Sequence, residues 1–214
     1  MKKIIFISLL LLLTLSGCKN DERNNNVANN TVNYTKLSSN NNVQSNTITF
    51  DNQIDENLES NKKKEVEISS YTSKVLDKSG SRVNNLKIAC SILNNHIVAP
   101  GETFSFNSVL GPSNKEKGYE QAKIFDSKGN VLKEYGGGIC QISSTLYNAV
   151  EPCNVEIVER HKHSKRVYYV PENKDAAISY PSLDFKFKNN NQYELKIYAE
   201  ANENTVIIKI YKID

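Results

Sequence analysis

The chain changes hydrophobic rhythm several times, and each change predicts an element. Ile4 to Leu15 is an almost unbroken apolar run, and a long polar stretch follows it. Val66, Ile68 and Ser70 then alternate with polar residues, which predicts a first strand. Val83, Leu86, Ala89, Cys90, Leu93 and Ile97 step at helical intervals and predict a helix over about 84–94, ended by Asn94-Asn95. Pro100-Gly101 turns the chain into Thr103-Phe104-Ser105-Phe106, and Gly111-Pro112 and Gly118 punctuate a polar loop. A hairpin is predicted from Gln121–Phe125 and Val131–Tyr135 around Ser127-Lys128-Gly129-Asn130. Gly136-Gly137-Gly138 leads into a second helix, on which Ile142, Leu146, Ala149 and Val150 share a buried face. Beyond it, Val155–Glu159, Arg166–Val170, the alternating Leu183–Phe187, Glu194–Ala199 and Thr205–Tyr211 read as strands of a C-terminal antiparallel meander. The expectation is one α+β domain over 66–214: about two helices on antiparallel sheet, with a glycine loop feeding the central helix.

Composition changes the picture mainly before residue 66. Met1-Lys2-Lys3 and the short apolar run form a signal peptide over 1–17, too short to span a bilayer stably. Leu15-Ser16-Gly17-Cys18 resembles a lipobox, which would make Cys18 the acylated N-terminus of a lipoprotein on the extracellular face of the membrane. Residues 18–65 are Asn-rich and polar, a composition that cannot bury enough apolar surface to order itself; they read as a disordered tether. The net charge is +3, and loss of Lys2 and Lys3 with the signal lowers it to +1. So near-neutral a chain gives no reason to expect a nucleic-acid partner.

Candidate chemistry centres on Cys140. It follows three glycines and opens a helix, where unpaired N–H groups and the helix dipole favour a thiolate. Cys140 and Cys153 would stand roughly 20 Å apart along one helix at ~1.5 Å per residue, too far for a disulfide. Cys90 lies on an apolar stripe and Cys153 at a helix end, so both read as packing; a bridge from Cys90 to either of the others stays open. Downstream, His163 and Asp175 supply a base and an orienting carboxylate, giving the order Cys140, His163, Asp175. Gln141, or backbone N–H groups near Cys140, would stabilise an oxyanion. Gly136, Gly137, Gly138, Ser143, Ser144 and His161 are the candidate binding residues around it. A second reading uses Cys140, His161 and His163 as three zinc ligands, the two histidines being two apart and so on one strand face. In the plainest reading, His163 and Asp175 only pin loops together and Cys140 is packing; His96, among polar residues at a helix end, reads as a surface residue.

Several ordered motifs carry a family resemblance over about residues 66–210. They are Pro100-Gly101-Glu102-Thr103-Phe104-Ser105-Phe106-Asn107, Gly111-Pro112, Gly118-Tyr119, Ala122 and Gly136-Gly137-Gly138-Ile139-Cys140-Gln141 with Ser143 to Ala149. Glu159-Arg160, His163-Ser164, Val167, Tyr169-Val170-Pro171, Asp175-Ala176, Asp184 and Phe187 continue them, with Arg82 and Asn85 upstream. Together they resemble the VanW domain. Two departures stand out: Asn173 replaces a usual glycine, and Pro152-Cys153-Asn154 replaces a small-residue–glycine helix ending. Asparagine tolerates left-handed backbone, so the fold should accommodate both. The resemblance implies a cell-surface or cell-wall protein, mostly of Gram-positive bacteria, and no particular reaction. Two functions compete: a thiol enzyme acting on cell-wall peptide or a surface protein, with no cofactor, and a non-catalytic domain binding wall polymer or protein.

Overall fold

The computed structural model describes residues 63–126 and 128–214. The signal peptide, Cys18 and nearly all of the proposed tether lie outside the described residues. Among the described residues, no helix is long and apolar enough to cross a membrane.

Among the described residues, three α-helices and nine strands form the domain, in line with the α+β expectation. In chain order they are β1 (Glu65–Lys74), α1 (Gly80–Leu93), β2 (His96–Val98), β3 (Thr103–Ser105) and α2 (Phe106–Leu110). After a 3-10 turn at Lys115–Lys117 come β4 (Gln121–Phe125), β5 (Val131–Tyr135) and α3 (Ile139–Val150). The chain finishes with β6 (Val155–Glu159), β7 (Lys186–Asn189), β8 (Glu194–Ala201) and β9 (Thr205–Ile213). The strands are antiparallel throughout: a four-stranded sheet β1-β9-β8-β2, a three-stranded sheet β3-β7-β6, and the β4-β5 hairpin. The C-terminal strands thus divide between two sheets, β6 and β7 in one and β8 and β9 in the other.

The core lies where α1 and α3 pack on the larger sheet, α1 against β8 and α3 against β1 and β9. Leu195, Ile197, Val206, Ile208 and Ile210 alternate inward from β8 and β9 to meet Leu86, Leu93, Ile142 and Leu146. A second cluster, Phe104, Phe185 and Phe187, joins the smaller sheet to this core, with Phe104 stacked on Phe187 at 4.9 Å. Of the described residues in the β4–β5 hairpin only Ala122 is buried, while Phe125, Val131, Leu132 and Tyr135 are exposed.

Two expectations need correction. Arg166–Val170 is not a strand, although its burial alternates as a strand's would. Among the described residues it pairs with no strand, and the chain bends at 168–170, where Val170 is buried. His96 is half-buried, not a surface residue, because β2 lays it edge-on against Phe104 at 5.4 Å. The asparagine substitutions behave as expected: Asn154 and Asn173 have φ of 51° and 63°, in the left-handed region.

Candidate functional site

The site begins with how α3 enters. Gly138 caps the helix at φ 115°, ψ −21°, a conformation that a side chain would strain. Gly137 is glycine for a different reason: a Cβ there would lie 2.5 Å from the Ala122 carbonyl oxygen. Asn85 locks the same loop, donating to the Gly137 and Glu120 carbonyls at 3.1 and 2.9 Å. The three glycines are buried, with Ser113, Ala122 and Arg82 filling the space around them. Close approach is their role, and what they approach is the protein itself.

Beyond the cap, α3 is buried on nearly every side; only Cys140 and Asn148 remain half-exposed. Its polar residues are satisfied in two directions. Towards β1, Gln141 donates to Ser73 Oγ and the Lys74 carbonyl, both at 3.0 Å, and Thr145 meets Ser73 at 2.8 Å. Gln141 is therefore committed to the core, and its side chain is not available to a substrate at Cys140. Towards residues 174–177, Ser143 donates to the Ala176 carbonyl at 2.6 Å and Ser144 accepts the Ala176 N–H at 2.9 Å. Asn148 donates to the Lys174 carbonyl at 2.7 Å, and Arg160 to that of Asp175 at 2.7 Å. The two serines expected to bind ligand thus clamp the segment carrying Asp175 onto the helix carrying Cys140.

An antiparallel bridge between His161 and Ala177 then fixes the register. Two residues further along each side, His163 stands opposite Asp175. One carboxylate oxygen, Oδ2, accepts both the His163 backbone N–H and its Nδ1–H, each at 2.7 Å. That tautomer leaves Nε2 turned away from Asp175, 3.4 Å from the Tyr169 hydroxyl. Cys140 is half-buried and donates its thiol hydrogen to the Ile178 carbonyl at 3.4 Å. Burial disfavours the imidazolium, but Cys140 and then Asp175, each by hydrogen bonding and charge, raise the pKa of His163 above its ordinary value. Burial likewise opposes ionisation of Asp175, yet the two bonds from His163 and its charge hold the carboxyl below the usual range. The structure thus pairs His163 with Asp175 by direct hydrogen bonds, while the Cys140 thiol, bonded to the Ile178 carbonyl, bears on His163 through its effect on the imidazole pKa.

His161 is not part of it. Its Nε2 lies 2.8 Å from Glu159, whose pKa is held down at about 2 by Lys186, His161 and the Asp184 N–H. Among the described residues, no three His, Cys, Asp or Glu side chains gather closely enough to hold a metal. Cys90 and Cys153 are free and buried; burial pushes the Cys90 thiol up to about 12 and raises that of Cys153 as well. A pocket of about 170 Å³ opens beside His163 and Asp175, walled by Lys162, Lys165, Arg166 and Pro171. The participant missed by sequence reasoning is Tyr169. Its one signal was its place in Tyr169-Val170-Pro171, because a strand assignment says nothing about which ring a tyrosine faces.

Comparison with known proteins agrees with the reach of these motifs. The family model described as "VanW like protein" matches residues 81–211. An uncharacterized protein, YoaR, of Bacillus subtilis (strain 168) is 42% identical over 134 residues, which are 63% of this chain and 44% of that protein. The vancomycin B-type resistance protein VanW of Enterococcus faecalis (strain ATCC 700802 / V583) is 27% identical over 136 residues, 61% of this chain and 49% of its own. The chain spans less than half the length of either relative. No solved structure matches it.

Proposed function

Since this chain belongs to the VanW family, we propose that its domain is a thiol enzyme acting by acyl transfer or hydrolysis, with Cys140 as nucleophile, His163 as base and Asp175 as the group orienting it. The observation that carries this reading is the seat of His163 on Asp175: Oδ2 takes both the backbone N–H and Nδ1–H, so Nε2, near only the Tyr169 hydroxyl at 3.4 Å, is the nitrogen left to exchange a proton with the thiol. In the reaction, the Cys140 thiol proton passes to Nε2 as sulfur bonds to the acyl carbon. The imidazolium then protonates the departing amine as the C–N bond breaks, leaving a thioester on Cys140. Water, its proton taken by His163, or an acceptor amine cleaves the thioester and restores the thiol. Asp175 holds the ring in the tautomer each step needs. The backbone N–H of Cys140 itself would serve the oxyanion, given that the Gln141 side chain and the Ile139 and Gln141 N–H groups are engaged elsewhere.

The substrate proposed is a cell-wall peptide or a surface protein, met by a lipoprotein anchored through Cys18 on the outer face of the membrane; the lipobox and signal pattern support that placement. The test is labelling of the native protein with iodoacetamide, followed by mass mapping, and then incubation with peptidoglycan fragments. Cys140 should react well ahead of Cys90 and Cys153, slow down in His163→Gln, and carry an acyl adduct that Cys140→Ala abolishes. A Cys140 that stays unlabelled in the folded protein would instead favour the non-catalytic binding domain.

A further inference from the structure

With Gln141 turned into the core, the side of the site that would meet negative charge has to be built from other residues. Arg82, on the first turn of α1, lies against the glycine cap of α3: a Cβ on Gly138 would stand 3.0 Å from its Cγ and 3.4 Å from its Cζ and Nε. Cys140 follows two residues later. The guanidinium makes one long hydrogen bond, Nη1 to the Lys123 carbonyl at 3.5 Å, and its Nε is buried with no acceptor among the described residues. None of the ion pairs among those residues includes it. A half-buried guanidinium with its donors unspent is costly to keep and well suited to an anionic ligand. Tyr169 is the second polar group there, its hydroxyl 3.4 Å from His163 Nε2 and its ring edge-on to the imidazole at 6.4 Å. Burial, with the charges of Cys140 and Asp175, raises its pKa against the opposing pull of Ser144 and Arg82, so the hydroxyl remains a donor.

We propose that Arg82 and Tyr169 form an anion-binding subsite beside Cys140, which takes a carboxylate or developing oxyanion within two bonds of the carbon the thiol attacks. This rests on the thiol reading above and gives it a substrate class: acyl compounds bearing a negatively charged oxygen close to the reacting carbon. Arg82 supplies a planar fork for that oxygen and Tyr169 a single hydroxyl donor.

Two alkylating reagents of similar size and opposite character test it. Iodoacetate carries the carboxylate and iodoacetamide the neutral amide, and the readout is the ratio of their rates at Cys140 in the native protein. Arg82→Gln should lower the iodoacetate-to-iodoacetamide ratio about tenfold, the scale of one charge-assisted hydrogen bond, while Arg82→Lys keeps part of the preference. Tyr169→Phe should lower it about threefold. Where Arg82→Gln does not fold, the wild-type protein gives the same answer through phenylglyoxal. Arg82 should be protected after Cys140 is carboxymethylated and remain reactive after it is carbamidomethylated. Unchanged ratios overturn the proposal, as does equal phenylglyoxal modification of the two alkylated forms. So does a ratio that falls with Lys162→Gln, Lys165→Gln or Arg166→Gln instead, since the anion preference would then belong to the neighbouring basic pocket. If Cys140 reacts with iodoacetamide but shows no Arg82-dependent preference, only this inference fails; if it reacts with neither reagent, the thiol reading fails with it.

Discussion

Asp175→Asn keeps the shape of the side chain and removes its charge, which isolates the His163–Asp175 pair. In the native protein Oδ2 accepts two hydrogen bonds at 2.7 Å. Bonds to an ionised acceptor are worth about 1.5–3 kcal/mol and neutral ones about 0.5–1.5, so exchanging both costs ~2 kcal/mol. Screening takes little from that figure, because the side chains of His163 and Asp175 are only 20% and 11% exposed. In a domain of this size ~2 kcal/mol lowers Tm by roughly 4–8 °C. The loss should also depend on pH. Folding raises the pKa of His163, so its ionic contribution is complete below the ordinary value of 6.5 and disappears as pH rises through the folded value. Folding lowers that of Asp175, so its contribution is present above 3.8 and lost as pH falls through the folded value. The gap between wild type and variant is therefore widest at about pH 4–6.5 and narrows above it. It does not close at alkaline pH, since a neutral imidazole still donates Nδ1–H to the carboxylate. Thermal unfolding followed by circular dichroism at about pH 5.5 and 8.5 measures both effects. Equal Tm values at the lower pH, or a gap that ignores pH, would refute the pairing.

Two further predictions probe the backbone around the site. Gly137→Ala places a Cβ 2.5 Å from the Ala122 oxygen and 2.7 Å from its carbonyl carbon, atoms that cannot swing aside, so urea unfolding should show a loss of about 2–3 kcal/mol. Gly80→Ala, with open space around it at the start of α1, is the control and should shift stability by less than ~1 kcal/mol, in the stabilising direction. At φ 63°, Asn173→Ala should cost about 1–2 kcal/mol, whereas Asn173→Gly should be near neutral in the same assay. Equal effects of alanine and glycine there would mean that the hydrogen bond from Lys162 to the Asn173 side chain, and not backbone geometry, selects asparagine.

The sequence alone determined the periodic elements and the identity of the nucleophile, base and carboxylate candidates. The hairpin strands Gln121–Phe125 and Val131–Tyr135, and the strand Val155–Glu159, have the bounds that alternation and turn residues predict. The helix behind the glycines is equally legible, because one turn of a helix repeats its apolar positions within the local sequence. Only the tertiary structure decided what the polar residues of that helix do. Gln141, Ser143, Ser144 and Thr145 each make at least one hydrogen bond to a segment about 30 to 70 residues away. Likewise, which histidine faces Asp175, and that Arg82 leans on Gly138, follow from register and packing between distant segments. Periodicity reports how a residue sits relative to its neighbours in the chain; a hydrogen-bond partner is chosen by what folding brings opposite it, and no local spacing encodes that.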